Sequence, residues 1–222
     1  MIHLGSIGRT SLDIDLSFFI LIAFFVATFY DQRMGIHYAL LWAPVLFLSI
    51  LLHELAHAGA IALFGYGASN VILGGMGGVT INVRRARPWH DMLISFAGPA
   101  ASFGLWFLSQ WLYWRLPVMR NDPMLAAFIP LLASANLWWG IFNLIPVSPL
   151  DGGHVVRNFF RMFLSERTAF VIAVWIAIAG GTAVVVFGLR KGFILLSLLV
   201  GWYVYVDFQQ WQEYRRRGFP EE

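Results

Sequence analysis

Three ionisable residues stand inside an apolar run, Leu51-Leu52-His53-Glu54-Leu55-Ala56-His57-Ala58. An ionised group at mid-membrane costs roughly 2.5–3.5 kcal/mol on insertion scales, so such residues are rarely idle. Their spacing specifies the chemistry. His53 and His57 are four apart and share one face of a helix, where two imidazoles can hold a single Zn²⁺. Glu54 is turned about 100° from His53. It can reach a water at the metal without taking a coordination position. This is the His-Glu-x-x-His pattern of zinc hydrolases, with the glutamate as general base. The alternative is a buried polar cluster that pairs helices through hydrogen bonds.

A catalytic zinc takes three protein ligands and keeps a fourth position open. The chain has no cysteine, so the third ligand must be His, Asp or Glu. The segment Phe142-Asn143-Leu144-Ile145-Pro146-Val147-Ser148-Pro149-Leu150-Asp151-Gly152-Gly153-His154 breaks a helix with two prolines and two glycines and carries an acid at the break. Irregular backbone at membrane depth is tolerated where it is buried in protein or lines a wet cavity. Asp151 is the preferred third ligand and His154 its rival. A turn or helix-cap aspartate before Gly-Gly is the structural alternative. His3, His37 and His90 fall at the ends of apolar segments and read as interfacial residues.

The elements that must position these groups are membrane helices. Of the 222 residues, 59% are hydrophobic, 17% aromatic and only 12% charged. Soluble domains carry about 25% charge, so a soluble fold of this size could not cover its surface. Disorder is excluded by the same composition, and ten Trp suit two membrane–water interfaces. A spanning helix needs about 20 apolar residues. The sequence predicts six, at about 12–30, 38–64, 92–114, 124–147, 169–189 and 192–206. The last two are divided only by Leu189-Arg190-Lys191-Gly192, a tight helical hairpin. The expected fold is an all-α polytopic membrane protein, one membrane-embedded domain over residues 1–222. No cleavable signal peptide is expected.

Orientation follows from Lys and Arg placement. Arg9, Arg84, Arg85, Arg87, Arg157, Arg161, Arg167, Arg215, Arg216 and Arg217 fall on one side, and Arg33, Arg115, Arg120, Arg190 and Lys191 on the other. The expectation is that both termini are cytoplasmic. The Arg-rich tail reads as a topology signal rather than a nucleic-acid surface. Spans two and four then both run toward the cytoplasm, and the His pair and Asp151 reach the same side of the bilayer.

Residues 65–83 differ from the rest. Gly clusters punctuate two short β-branched runs, Val71 to Leu73 and Val79 to Val83. The pattern predicts a small Gly-rich β element over about 68–84, between spans two and three.

With these residues assembled, the chain resembles the site-2 protease family of intramembrane zinc metalloproteases. The likeness rests on His53-Glu54-Leu55-Ala56-His57, on Asn143-Leu144-Ile145-Pro146, and on Pro149-Leu150-Asp151-Gly152-Gly153 with Arg157 beyond. Ala97-Gly98-Pro99-Ala100 looks like the family's Gly-Pro element, and Gly74 to Gly78 sits where the family has a membrane-associated β element. The resemblance implies one zinc ion held by His53, His57 and Asp151, with Glu54 as general base and acid. It implies that Asn143 helps bind or polarise the scissile carbonyl. An interhelical hydrogen bond is the alternative for Asn143. The expected form is a minimal one without appended soluble domains, in a prokaryotic cell membrane. The implied substrate is a single-span or pro-protein membrane protein.

A transmembrane helix hides its carbonyls in its own hydrogen bonds, so the substrate must unwind before attack. A strand edge can supply replacement partners. Gly78, Val79, Thr80 and Ile81 are the expected edge, and a merely structural hairpin is the alternative. Two rival functions are a metal-ion transporter or channel and an inactive relative that binds membrane proteins. A transporter needs polar groups stepped across the bilayer, whereas here they cluster at one side.

Overall fold

The computed structural model describes residues 1–33, 35–82, 84 and 86–218, and of Arg217 the backbone alone. Val83 of the expected strand run and Arg85 of the expected basic loop lie outside the described residues. The chain divides into two compact units, residues 1–85 with 97–140, and residues 86–96 with 141–222.

The first unit begins with two strands, β1 (Ile2–Ile7) and β2 (Thr10–Ile14), followed by helix α1 (Ser17–Thr28). A short helix α2 (Ile36–Leu40) leads into α3 (Trp42–Leu63), and the hairpin β3 (Ser69–Gly74) and β4 (Gly77–Asn82) follows. The four strands form one sheet in the order β1-β2-β3-β4. β2 and β3 are parallel, with Leu12 opposite Val71 and Ile14 opposite Leu73, while β1–β2 and β3–β4 are antiparallel. One face of the sheet is apolar. Ile14, Val71 and Leu73 pack there with Phe18 of α1 and Ile50 and Ala58 of α3. This alternation is what a half-buried strand requires.

The N-terminal strands correct the expected first span. Leu12 and Ile14 belong to β2, not to a membrane helix. Thr10, Leu12 and Ile14 alternate with Ser11 and Asp13, a period of two that a helix cannot bury on one face. The helix itself has 12 residues, about 18 Å at 1.5 Å per residue, well short of a bilayer core of about 30 Å.

Helix α4 (Pro88–Arg115) contributes its first residues to the second unit and the remainder to the first. After a short α5 (Val118–Asn121) comes α6 (Pro123–Asn143). The expected fourth span ran to Val147. The helix stops at Asn143, because Pro146 and Pro149 cannot donate backbone hydrogen bonds and disfavour helical geometry before them. The second unit continues with α7 (Asp151–Arg161), α8 (Glu166–Lys191) and α9 (Ile194–Arg217). Ser165 caps α8 by accepting from the Thr168 N–H at 3.3 Å. Gly192 ends it at φ 79°, a left-handed conformation that glycine adopts without strain. α8 and α9 therefore make the tight hairpin the sequence predicts.

Among the described residues, four helical segments are long and apolar enough to cross a membrane, Ile36–Leu63, Pro88–Arg115, Pro123–Asn143 and Glu166–Lys191. Their outward residues include Leu63, Phe107, Trp138 and Phe187, each more than half exposed. Large apolar surface of this kind is what lipid covers in an integral membrane protein.

Candidate metal centre

The site in the first unit is built on α3. His53, Glu54 and His57 are 2%, 4% and 6% exposed. The two imidazoles lie edge to face with centroids 4.9 Å apart, as four-residue spacing on a helix demands. His53 Nδ1 is 3.0 Å from the Ser102 hydroxyl on α4. With Nδ1–H donating to that oxygen, Nε2 keeps its lone pair for a metal.

Gly98 explains how α4 approaches so closely. A Cβ built on it would strike Nε2 of both His53 and His57. The two nitrogens therefore converge on one point, separated from the α4 backbone only by glycine hydrogens. Two neutral imidazole donors aimed at a common point suit a borderline-soft divalent ion such as Zn²⁺. One turn earlier on α3, Asn136 Nδ2 of α6 donates to Ser49 Oγ at 2.8 Å and holds the two helices together.

Glu54 faces the sheet. The Thr80 hydroxyl of β4 donates to Glu54 Oε2 at 2.7 Å, and Thr80 Oγ1 also lies 3.1 Å from the Glu54 backbone carbonyl oxygen. A Cβ on Gly78 would collide with the Glu54 carboxyl group, so only glycine lets β4 pass here. β4 is a terminal strand of the sheet, and Val79 and Ile81 turn to its exposed side. Thr80 thus points inward to the carboxylate while its neighbours point away, the two-residue alternation of a strand.

The remaining expected residues belong to the second unit. Asn143 is the last residue of α6 and is buried. Asp151 is the first residue of α7, half-buried, with Leu150 in the capping position. An acid in a first turn is favoured by the helix dipole. The turn between them is folded tightly against α7. A Cβ on Gly152 would strike the carbonyl oxygens of Leu144 and Ile145, and one on Gly153 the Val147 carbonyl and the Ser148 nitrogen. Arg157 donates to Glu166 at 2.6 Å and Arg161 Nε to the same carboxylate at 2.7 Å, which ties α7 to the start of α8. Asn158 donates to Asp91 at 3.0 Å. His154 is exposed and lines a cavity of about 40 Å³ with Ser148, Arg157 and Asp207.

Three contributors here have no counterpart among the expected roles. They are the Ser102 hydroxyl, the Thr80 hydroxyl and the Gly98 backbone. A glycine inside a span is a sequence-level sign of close approach, and Gly98 could have been read that way. Ser102 and Thr80 carry no such sign.

Comparison with known proteins places these features. Residues 117–188 match the model of Peptidase family M50. Rip3 of Mycobacterium tuberculosis is 34% identical over 172 residues, 73% of this chain and 44% of Rip3. The Methanocaldococcus jannaschii protein named zinc metalloprotease MJ0392 is 29% identical over 177 residues, 78% of this chain and 50% of that protein. The chain thus spans about half the length of the curated relatives it matches. The solved site-2 protease from Methanocaldococcus jannaschii shares the fold with a TM-score of 0.64 at 24% identity, over 100% of this chain and 97% of that one. The chain is thus similar to Peptidase family M50 over residues 117–188 and has the fold of a solved site-2 protease.

Proposed function

We propose that this chain is an intramembrane zinc metalloprotease that hydrolyses a peptide bond within or near a transmembrane segment of another membrane protein. The observation that carries the reading is the convergence of the His53 and His57 Nε2 atoms on one point of the α4 backbone, with the adjacent Glu54 carboxylate held by Thr80. His53, His57 and Asp151 would hold one zinc ion. When bound, the ion supplies Lewis acidity and brings the pKa of water toward about 7.

The chain's own groups do the rest. Glu54 accepts a proton from water as oxygen attacks the scissile carbonyl carbon. It then donates that proton to the amide nitrogen as the C–N bond breaks, which leaves a carboxylic acid and an amine. The Thr80 hydroxyl fixes the Glu54 rotamer for both transfers. Asn143 offers an amide donor to the oxyanion. The substrate segment unwinds and pairs with the outer edge of β4 along Gly78, Val79, Thr80 and Ile81, which replaces its lost backbone hydrogen bonds.

The six-span count belongs to this reading, with the apolar first half of α9 and the short α1, whose length a locally thinned bilayer would accommodate, added to the four longer segments, and the Gly-rich hairpin at the interface. So do a single membrane-embedded domain, cytoplasmic termini, an active site toward the cytoplasm of a prokaryotic cell, and a single-span or pro-protein substrate. Arginine placement supports the orientation.

Metal analysis of the purified protein tests the ligand set. The parent binds about one zinc per chain. Asp151→Ala weakens zinc binding by about 100-fold or more, beyond the 10–100-fold typical of outer-shell losses, whereas His154→Ala leaves it unchanged. The reverse pattern would make His154 the ligand. A second experiment addresses β4. Val79→Pro and Ile81→Pro retain zinc but cleave a co-expressed membrane substrate at least about 10-fold more slowly, since proline breaks the β3–β4 ladder that holds the edge straight for an added strand. Parental cleavage by both folded variants removes the edge from the mechanism.

A further inference from the structure

The second unit holds a carboxylate that the mechanism above does not use. Asp207 on α9 is 4% exposed, and its Oδ2 accepts the Ser148 backbone N–H at 3.0 Å. A buried carboxylate is costly to desolvate, and a packed apolar side chain commonly serves stability as well or better. A buried carboxylate at this place therefore points to a directional task.

Ser148 provides one. It lies in the turn that links α6 to α7 and ends at Asp151. Val147 and Leu150 of that turn pack with Ala177 of α8 and Tyr203 of α9. Close approach on that side is possible because Gly180 and Gly181 of α8 present no side chain to Pro146 and Val147. Apolar contacts are non-directional. They hold the turn near α8 and α9 without fixing the rotation of its peptide planes. The Asp207–Ser148 hydrogen bond fixes one plane, three residues before Asp151. The turn in turn presses on Gly152 and Gly153, the residues that follow Asp151. Any rotation of the turn is thereby passed to the first residues of α7.

We propose that Asp207 is a positioning residue, whose carboxylate anchors the Ser148 peptide and through it sets the direction of the Asp151 side chain. The inference rests on the reading of Asp151 as a zinc ligand.

Three variants test it in the full chain, purified in detergent. Asp207→Leu fills the space and has no acceptor, Asp207→Ala has neither, and Asp207→Asn keeps an acceptor oxygen. Two readouts are used, amide hydrogen exchange across residues 144–150 and zinc affinity by chelator competition. In the Leu and Ala variants, exchange at Ser148 accelerates at least about 10-fold, and zinc affinity falls about 10–100-fold, the range for groups that orient a ligand. Asp207→Asn restores both toward the parent. Ser148→Ala keeps the backbone donor and so keeps the protection. If Ala fails to fold, the contrast between Leu and Asn decides. Parental zinc affinity in folded Asp207→Leu, with zinc lost in Asp151→Ala, overturns the positioning role and leaves the ligand reading standing. Zinc retained by Asp151→Ala overturns the ligand reading, and this inference with it.

Discussion

Glu54→Gln binds zinc like the parent and cleaves a co-expressed membrane substrate about 10³-fold more slowly, within the range for loss of a general base. That factor corresponds to about 4 kcal/mol of transition-state stabilisation. The substitution is suited to the question. Gln is nearly isosteric, and its amide oxygen still accepts the hydrogen bond that Thr80 gives to Glu54 at 2.7 Å. It faces the same narrow passage beside Gly78. What it lacks is a basic oxygen that can take a proton from water and return it to the leaving nitrogen. Single-turnover cleavage by purified protein, with metal analysis of the same sample, separates the two effects. A Gln variant within tenfold of the parent would show that Glu54 is not the base. A variant that has lost its zinc would show that Glu54 supports the metal.

Gly98→Ala is expected to lower zinc affinity by about 100-fold or more while the helices remain inserted. The added methyl group would occupy the point on which His53 and His57 Nε2 converge. His53 cannot simply swing aside, because its Nδ1 is held by Ser102 at 3.0 Å. Forcing the group in should also cost about 1–3 kcal/mol, the usual penalty for overpacking a filled site. Gly104→Ala on the same helix is the matched control, since a Cβ there meets nothing within 4 Å. It should leave zinc binding untouched and raise stability slightly. Zinc competition and thermal unfolding of both variants make the comparison. Parental zinc affinity in Gly98→Ala would mean that the imidazoles do not meet the metal from this side.

How far the sequence could be read depended on whether a feature is local. His53, Glu54 and His57 lie within one and a half helical turns, so their relative placement follows from helix geometry alone. Gly152 and Gly153 belong to α7, and α6 ends at Asn143, four residues earlier than expected, but the break before Asp151 was legible through Pro146 and Pro149, which act on the backbone where they stand. Strand β2 was not. Its five residues are too few for periodicity to decide, and the partner that stabilises it, β3, begins 59 residues after Thr10 in the register. Leu12 and Ile14 therefore passed as the start of an apolar helix. The Thr80 hydroxyl was hidden for a related reason. The strand pattern places Thr80 on an edge, but nothing in it says that Glu54, 26 residues earlier, accepts its hydrogen bond. Ser102 and Asp207 are single polar residues in apolar surroundings, and their partners are 49 and 59 residues distant.

The parallel register of β2 with β3 has a consequence for how the polypeptide is threaded. Ile14 and Leu73 are register partners on neighbouring strands of one small sheet, so residues 15–72 must depart from and come back to the same place. Whichever leaflet lies beside the chain's first strands also lies beside the hairpin that touches Glu54. Helices α1, α2 and α3 thus form a closed excursion that starts and finishes on neighbouring strands of one sheet.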